Sequence, residues 1–294
     1  MIQDNYLVVM AGGVGSRFWP FSRNNYPKQF HDLFNTGKTL LQQTVERFNG
    51  IIPNENILVV TNKKYKDLVL RDLPFLTNDQ ILLEPEGRNT APCIAYSCYK
   101  IYKKNPKSKI IVAPSDHIIT NEMTFQKIVE KVFGNISEKS ELYLLGIKPN
   151  RPDTGYGYIQ YDVTGNTDIK KLVAFKEKPN LQTAKKFLAD GGYLWNSGIF
   201  LFSAASIVDG FKKYSPDLHE IFESGMDSYW TEKEQNFIDR VYPTCNNISI
   251  DYAIFEKADN VSVLPSEFGW SDLGTWKSLY ELSDKNQDSN VLDG

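Results

Sequence analysis

Short apolar segments alternate with helix-like segments through the first half of this 294-residue chain. Short continuous apolar runs are typical of strands that are buried on both faces of a sheet. The strand-like runs are residues 6–10, 57–60, 81–83, 110–113 and 142–145. Strands joined by helical crossovers form a mostly parallel sheet that helices cover on both faces. The alternation therefore predicts an α/β fold.

The clearest helix is predicted to begin near Asn89. Apolar residues follow it at the spacing of one helical face, at positions 91, 94, 95, 98, 101 and 102. Asn89 or Thr90 can cap this helix, and Pro92 is tolerated in its first turn. After about Arg151 the strand-like segments 156–161 and 169–175 follow without a long helix between them. We expect them to add antiparallel strands to the same sheet.

The composition excludes several classes of protein. The chain is 41% hydrophobic and 23% charged, which is typical of a globular protein rather than a disordered one. A net charge of -3 gives no overall basic field, so no nucleic-acid partner is predicted. The chain lacks a run of 18 apolar residues and an obvious secretion signal, so no membrane span is predicted. Three cysteines without a CxxC pair favour a reducing compartment, and we expect a cytoplasmic protein.

A glycine-rich turn directly follows the first strand-like run. Ligands of open parallel sheets bind outside the carboxyl ends of the strands, where glycine lets backbone N–H groups approach a phosphate. The turn is not a P-loop, since GxxxxGK[ST] is absent, and Phe18 stands where a dinucleotide fingerprint has its third glycine. We predict a phosphate-binding loop with the residues Ala11, Gly12, Gly13, Gly15 and Ser16.

Three cations follow this turn, namely Arg17, Arg23 and Lys28, with Pro20 and Pro27 between them. Prolines stiffen a loop that must hold charge in place. Joining a nucleoside triphosphate to a sugar phosphate requires fixed positive charge, because the two substrates repel each other. One cation about 4 Å from a phosphate contributes roughly 4 kcal/mol at an effective dielectric constant of ~20. A surface turn with solvated basic residues is the alternative interpretation.

The segment from Ala11 to Phe30 resembles the signature of the sugar nucleotidyltransferases. The shared pattern is AGGxGxRxxPxSRxxxPKQF, and its SR and PKQF pieces resemble the mannose-1-phosphate guanylyltransferase branch in particular. The resemblance extends from about Tyr6 to about Leu282. It implies a Rossmann-like nucleotidyltransferase fold, with a mixed, mostly parallel central sheet flanked by helices. It also implies GTP and mannose 1-phosphate as substrates, with Arg17 and Lys28 gripping the triphosphate and stabilising the transition state.

Two aspartates are candidates for a metal site. Asp116 follows the strand-like run 110–113, and Asp272 lies in the late segment 269–276. Mg²⁺ is typically held by one or two carboxylates together with phosphate oxygens and water, so these two would suffice if the fold brings them together. A helix cap or an Asx turn is the alternative for each. Both segments resemble the metal-binding positions of the family.

A candidate base pocket lies between the third strand-like run and the predicted helix. The string EPEGRNTAP begins at Glu84, whose carboxylate can accept from the ring N–H and the amino group of guanine, while helix N-terminal N–H groups can donate. A turn with a cap would explain the same composition. The string resembles the guanylyltransferase branch, and this resemblance implies that Glu84, Asn89 and Thr90 contact the nucleotide.

Segments of the second half resemble the sugar-binding motifs of the family. Gly155 in DTGYGY allows close backbone approach, and FKEKP places Glu177 beside Lys178. The carboxylate of Glu177 can accept from sugar hydroxyls, and the ammonium of Lys178 can meet the sugar phosphate. Asn196 in LWNSGIF is expected to precede an apolar strand, and Asp251 is a further candidate for a sugar hydroxyl. Alone, each segment is equally well a turn or a solvated charge pair.

The expected organisation is a single catalytic domain over residues 1–282. Its nucleotide-binding half covers about 1–150 and its sugar-binding half about 151–282. Residues 283–294 form a polar tail that leads toward a C-terminal β-rich segment of the family, expected to be absent or truncated here. Since that segment often builds oligomers, the resemblance leaves formation of a homodimer open.

The predicted reaction is a direct displacement in which mannose 1-phosphate attacks the α-phosphorus of GTP and pyrophosphate leaves. The attacking group is already an anion, so catalysis reduces to positioning and charge neutralisation, with Mg²⁺ on Asp116 and Asp272. One alternative is transfer to glucose 1-phosphate from UTP, dTTP or ATP. Others are a dinucleotide-dependent oxidoreductase and a nucleotide sensor without catalytic activity.

Overall fold

The computed structural model describes residues 4–137, 141–164 and 167–291 of the chain. Its strands are β1 (Asn5–Met10), β2 (Ile57–Asn62), β3 (Ile81–Glu84), β4 (Lys109–Pro114), β5 (Ile118–Ile119), β6 (Leu142–Ile147), β7 (Tyr158–Tyr161), β8 (Lys170–Lys176), β9 (Tyr193–Ser203), β10 (Val261–Ser266) and β11 (Trp270–Ser271). Its α-helices are α1 (Leu40–Glu46), α2 (Lys66–Asp72), α3 (Thr90–Lys104), α4 (Glu122–Asn135), α5 (Leu181–Asp190), α6 (Ala204–Tyr214), α7 (Pro216–Glu223), α8 (Glu234–Val241) and α9 (Trp276–Leu282). None of these helices combines the length and the apolar character needed to cross a bilayer.

Nine strands form one sheet in the order β3-β2-β1-β4-β9-β6-β10-β8-β7. The first four strands along the chain pair in parallel, as the alternation of strands and helices predicts. Beyond them β9 runs antiparallel between β4 and β6, and β7 and β8 add antiparallel pairings at the far edge. The expected antiparallel additions are confirmed. The sheet is thus parallel in its first half and mixed in its second.

Hydrophobic cores cover both faces of the sheet. Alternate residues of β1 point to opposite sides, with Tyr6 and Val8 in one core and Leu7 and Val9 in the other. Helices α3, α6, α7 and α8 pack on the first side, and α1, α2, α4 and α5 pack on the second. Each fully buried aliphatic side chain contributes about 1.5–3 kcal/mol. This two-sided burial explains why the strands appear in the sequence as continuous apolar runs.

The predicted helix near Asn89 is α3, and Asn89 is its N-cap. The side chain of Asn89 accepts a hydrogen bond from the N–H of Thr90 at 2.9 Å. Asn89 has a backbone φ of 66° and ψ of −168°, a strained region that is populated almost only by glycine. The helix α3 therefore begins directly after the turn that follows strand β3.

A two-stranded ladder lies apart from the large sheet. Strand β5 pairs antiparallel with β11, and Ile118 is opposite Ser271. The first of these residues follows Asp116 by two positions, and the second immediately precedes Asp272. This short pairing brings together two segments that are more than 150 residues apart in the sequence.

Two expected positions differ in the structure. Asn196 does not precede a strand, because β9 already begins at Tyr193 and includes it. The side-chain oxygen of Asn196 accepts from the N–H of Gly198, whose φ of 71° interrupts the regular strand geometry. The other difference is smaller, since β7 begins at Tyr158 instead of residue 156. Of the expected terminal regions, residues 1–3 and 292–294 lie outside the described residues.

Candidate active site

The glycine-rich turn lies at the carboxyl end of β1, and neighbouring side chains hold its carbonyl groups. Gln29 Nε2 donates to the carbonyls of Ala11 and Gly13 at 2.8 and 3.0 Å, and Thr61 Oγ1 also donates to Ala11. The N–H groups of Gly12, Gly13 and Gly15 have no acceptor among the residues that the structure describes. A loop whose carbonyls accept hydrogen bonds from the protein and whose N–H groups have no protein acceptor is suited to bind an anion.

Gly15 has a specific steric reason to be glycine. Its φ is 67°, and a Cβ added there would lie 2.8 Å from the Cβ of Lys28. The close approach places the side chain of Lys28 directly against the glycine-rich turn. The glycine-rich turn and the buried side chain of Lys28 therefore pack directly against each other.

Lys28 connects three segments of the chain. Its side chain is only 4% exposed, and Nζ donates to Asp116 Oδ2 at 2.8 Å. The same ammonium also donates to the carbonyls of Asp272 and Leu273 at 3.1 and 3.0 Å. Three acceptors match the three donors of an ammonium group. The ammonium thus bridges the segment after β4 and the segment after β11.

Asp272 is held in place by contacts to its carboxylate. Tyr156 OH donates to Asp272 Oδ1 at 2.7 Å, and the N–H of Gly274 donates to the same oxygen at 3.1 Å. The second contact is the Asx turn that the sequence leaves open as an alternative for Asp272, while Thr275 and not Asp272 is the N-cap of α9. Capping and turn formation therefore coexist with a carboxylate that faces the site.

The four residues that the sequence predicts as catalytic lie around one small cavity of about 130 Å³. Arg17, Lys28, Asp116 and Asp272 line it together with Gly15, Phe18, His117, Leu273 and Gly274. A second cavity of about 60 Å³ adjoins it, and Arg17, Gly155, Tyr156 and Asp272 are among its lining residues. Arg17 is exposed and has no ion pair within the described part of the chain. Its guanidinium is therefore available to a ligand in either cavity.

The charge state of Asp116 suits a cation-binding role. Burial raises the pKa of this carboxyl, but the charges of Lys28 and His117 and the hydrogen bond from Lys28 outweigh burial, so the pKa is lowered overall. Burial also lowers the pKa of His117, although the charge of Asp116 opposes this effect. His117 accepts a hydrogen bond from Trp270 Nε1 at 3.2 Å when its Nδ1 is unprotonated. These contacts anchor the loop on which Asp116 lies.

The described residues gather no group of three or more His, Cys, Asp or Glu side chains that would hold a metal on their own. Asp116 and Asp272 nevertheless lie on the same cavity. Mg²⁺ is commonly bound by one or two carboxylates and completed by water and substrate phosphates. The donor set therefore fits a divalent ion that enters together with a phosphorylated substrate.

The candidate base pocket centres on Glu84, at the carboxyl end of β3. Its side chain is 5% exposed, and one carboxyl oxygen accepts a hydrogen bond from Tyr242 OH. Burial raises the pKa of Glu84 to about 7, although the hydrogen bond from Tyr242 acts in the opposite direction. A Cβ on Gly12 would lie 2.7 Å from the other oxygen of the carboxyl. Glu84 is therefore adjacent to the phosphate loop.

Asn89 and Thr90, the other predicted nucleotide contacts, are already used within the protein. Asn89 caps α3, and Thr90 Oγ1 accepts from the N–H of Ile250 at 2.9 Å. The N–H groups of Thr90 and Ala91 donate to Asn89 Oδ1 and to the carbonyl of Ile248. Capping and a loop contact occupy these first two helical N–H groups, and contact of this segment with the base stays a prediction.

Most predicted sugar contacts gather at a second cluster. Asn196 Nδ2 donates to Asp251 Oδ1 at 2.8 Å, and Lys178 Nζ pairs with Glu177 Oε1 at 2.7 Å. Burial, together with the negative charge of Glu177, raises the pKa of Asp251 to about 6. Gly155 lies apart from this cluster, because it lines the cavity beside Asp272. The structure thus places one predicted sugar residue with the catalytic candidates and four in a separate polar group.

Comparison with known proteins agrees with this geometry. The family model described as nucleotidyl transferase matches residues 6–289. The chain belongs to the nucleotidyl transferase family. It is 40% identical over 98% of its length to the mannose-1-phosphate guanylyltransferase of Escherichia coli strain K12, and 37% identical over 98% to the alginate biosynthesis protein AlgA of Pseudomonas aeruginosa. The chain spans 62% and 60% of the lengths of these two relatives.

A solved structure of a similar protein has the same fold. The crystal structure described as a mannose-1-phosphate geranyltransferase from Thermus thermophilus superposes with a TM-score of 0.85 and 31% sequence identity. The match covers 95% of this chain and 79% of that chain. The Rossmann-like nucleotidyltransferase fold predicted from the sequence is therefore confirmed.

Three further residues of the chain contact the candidate site without having been predicted to do so. Gln29 holds the phosphate loop, Tyr156 holds Asp272, and Tyr242 holds Glu84. Gln29 and Tyr156 lie inside the motifs that suggested the family, so their positions offered a signal. Tyr242 lies 158 residues from Glu84 in a segment with no such motif, and only the fold reveals their contact.

Proposed function

We propose that this nucleotidyl transferase transfers the guanylyl group of GTP to mannose 1-phosphate, giving GDP-mannose and pyrophosphate. The observation that supports this best is the convergence of Arg17, Lys28, Asp116 and Asp272 on one cavity beside the free N–H groups of the glycine-rich turn. Charge of both signs at one point suits a reaction between two phosphorylated substrates. The names of the relatives at about 40% identity favour this particular pair of substrates.

In the proposed reaction, a phosphate oxygen of mannose 1-phosphate forms a bond to the α-phosphorus of GTP. The bond from that phosphorus to the bridging oxygen of pyrophosphate breaks, and pyrophosphate retains the electron pair. No general base is needed, because the attacking oxygen is already anionic. Arg17 and the N–H groups of the loop lie where they can neutralise charge on the triphosphate, while Lys28 holds the two acidic segments together. Catalysis then consists of positioning and electrostatic stabilisation.

We propose that Mg²⁺ is the divalent ion and that Asp116 and Asp272 hold it. When bound, such an ion neutralises phosphate charge and polarises phosphoryl oxygens. The lowered pKa of Asp116 keeps this carboxylate available as a ligand at neutral pH. Tyr156 fixes the carboxylate of Asp272 by its hydrogen bond. These contacts prepare the two carboxylates before substrate arrives.

The proposal also includes the residues that bind mannose 1-phosphate. Glu177, Asn196 and Asp251 offer acceptors and a donor for sugar hydroxyls, and the exposed ammonium of Lys178 suits the phosphate of the sugar. Residues 1–150 would then bind the nucleotide and residues 151–282 the sugar phosphate, within one catalytic domain. The three described cysteines are buried and unpaired, in keeping with a reducing, cytoplasmic compartment. A homodimer would be tested by sedimentation equilibrium.

A substrate panel tests the proposed function. Pyrophosphate release is measured with GTP, ATP, UTP and dTTP, each combined with mannose 1-phosphate or glucose 1-phosphate, with Mg²⁺ or with EDTA. We expect the highest kcat/KM for GTP with mannose 1-phosphate, and loss of turnover in EDTA. A preference for another pair would assign a different hexose-1-phosphate nucleotidyltransferase. Binding of GTP without pyrophosphate release under any condition would contradict an enzymatic role.

A further inference from the structure

The helix α8 and the turn that follows it pack against the carboxyl end of β3, where Glu84 lies. Gln235 Nε2 donates to the carbonyl of Leu83 at 3.2 Å, and Arg88 Nη2 donates to the carbonyl of Pro243 at 2.6 Å. Between these two contacts, Tyr242 OH donates to Glu84 Oε1. Three separate hydrogen bonds thus fix residues 234–244 against the candidate base pocket.

The two carboxyl oxygens of Glu84 have different surroundings. Oε1 accepts the hydrogen bond from Tyr242, which is fully buried. Oε2 faces Gly12, since a Cβ at that glycine would approach it to 2.7 Å. Within residues 4–137, 141–164 and 167–291, no group donates a hydrogen bond to Oε2. A carboxyl that is 5% exposed therefore keeps one oxygen without a protein donor on the side of the phosphate loop.

We infer that Tyr242 is a positioning residue that orients the Glu84 carboxylate toward the base of the bound nucleotide and thereby sets the preference for guanine. This inference rests on the proposed function. Guanine presents two adjacent donors, its ring N–H and its amino group, whereas adenine presents an acceptor at the ring nitrogen. A carboxylate held with a free oxygen toward the ligand favours the first arrangement and repels the second. Tyr242 acts through Glu84 and does not itself contact the base.

The hydrogen bond from Tyr242 also affects ionisation. Burial raises the pKa of Glu84 to about 7, and the Tyr242 hydroxyl lowers it because the ionised carboxylate is the better acceptor. The titratable groups that face Glu84 are Tyr242 itself and Cys93 of α3. Burial raises the pKa of both groups well above their usual values, so both are neutral at pH 7. Tyr242 is therefore the group that favours the ionised, guanine-accepting form of Glu84.

The test compares Tyr242→Phe with wild type and with Tyr229→Phe. Tyr229 is also buried in the same core, but its hydroxyl donates to the carbonyl of Phe222 and not to Glu84. Dissociation constants for GTP and ATP are measured by calorimetry between pH 6 and 8.5, and kcat is measured at saturating GTP. We expect Tyr242→Phe to lower the preference for GTP over ATP about tenfold, as loss of a hydrogen bond to a charged group would, with kcat little changed. The pH midpoint of GTP binding should move upward, and Tyr229→Phe should match wild type in both respects.

Partial unfolding of Tyr242→Phe does not obscure this result, because the GTP and ATP affinities are compared on one sample. A double variant, Tyr242→Phe with Glu84→Gln, gives a further check. If Tyr242 acts through the carboxylate, its substitution changes nothing further once Glu84→Gln is present. An unchanged GTP preference and an unchanged pH midpoint in Tyr242→Phe would overturn the inference. Wild type that binds GTP selectively but forms no GDP-mannose would overturn the proposed reaction instead.

Discussion

The ammonium of Lys28 donates to the carboxylate of Asp116 at 2.8 Å, in a setting where the lysine is almost completely buried. The same ammonium reaches the backbone carbonyls of Asp272 and Leu273. Lys28, which the family resemblance predicts to grip the triphosphate and stabilise the transition state, thus also connects the two acidic segments. One positive charge therefore holds the two acidic segments together.

Substitution of Lys28 by alanine should lower kcat by ~10² or more while the fold is retained. The change removes positive charge from the cavity and separates the Asp116 and Asp272 segments. Steady-state pyrophosphate release measures the effect, and circular dichroism checks the fold. Lys38→Ala is the matched control, since Lys38 forms an exposed pair with Glu46 and is not among the residues that line the cavity. Turnover near the wild-type value in Lys28→Ala would remove this residue from the mechanism.

Gly15→Ala should destabilise the protein more than Gly50→Ala. Both glycines have positive φ values, 67° and 82°, so alanine is strained at each position by about 1–2 kcal/mol. Only at Gly15 would the new Cβ also meet another atom, the Cβ of Lys28 at 2.8 Å. Urea unfolding of the two variants and wild type measures the difference in the free energy of unfolding. Equal losses would show that the Lys28 contact imposes no additional cost.

Glu84 should make stability fall as pH rises from 4.5 to about 7. Its pKa is raised in the folded state, so in this window the folded chain binds more protons than the unfolded chain. A rise from 4.5 to about 7 corresponds to about 3 kcal/mol of stability, fully present below pH 4.5 and lost above pH 7. The free energy of unfolding of Glu84→Gln minus that of wild type should therefore be larger at pH 8 than at pH 5.

Denaturant unfolding at both pH values measures this effect. Glu46→Gln provides the control, because Glu46 is exposed and paired only with Lys38. If Glu84→Gln and wild type show the same pH slope, Glu84 is ionised with an ordinary pKa in the folded state.

Lys178→Ala should raise the KM for mannose 1-phosphate about tenfold, since a charge-assisted contact to the sugar phosphate is lost. The dissociation constant for GTP should not change, because Lys178 belongs to the separate cluster with Glu177. Lys176→Ala is the control, as this exposed lysine lies at the end of β8 two residues earlier. A rise in KM for both variants would indicate a general loss of surface charge instead of a specific contact.

The sequence predicted the features that local patterns encode. The apolar runs located the first strands because burial on both faces leaves a continuous signal, and the cap at Asn89 located α3. The glycine-rich turn is predicted at the carboxyl end of β1 because it directly follows the first apolar run. The fold and the position of the glycine-rich turn were therefore accessible from short stretches of chain, while phosphate binding by this turn stays a prediction.

Relationships between distant segments were not accessible in this way. The proximity of Asp116 and Asp272 depends on the two-residue pairing of β5 with β11, which is too short to leave a periodic pattern. The sequence predicts Asn196 just before an apolar strand, whereas β9 includes this residue two positions before Gly198. Two of the three acceptors of the Lys28 ammonium are backbone carbonyls, whose positions side-chain identity does not specify.

Strand β9 pairs with β4 on one side and with β6 on the other, and it also pairs with β7. Residues 1–150 and residues 151–282 therefore share a backbone ladder instead of meeting across a linker. Cutting the chain between them would leave the inner edges of β4 and β6 unpaired, which is costly for buried peptide groups. The two fragments should not fold when they are expressed separately, and they should assemble into the folded domain only when both are present.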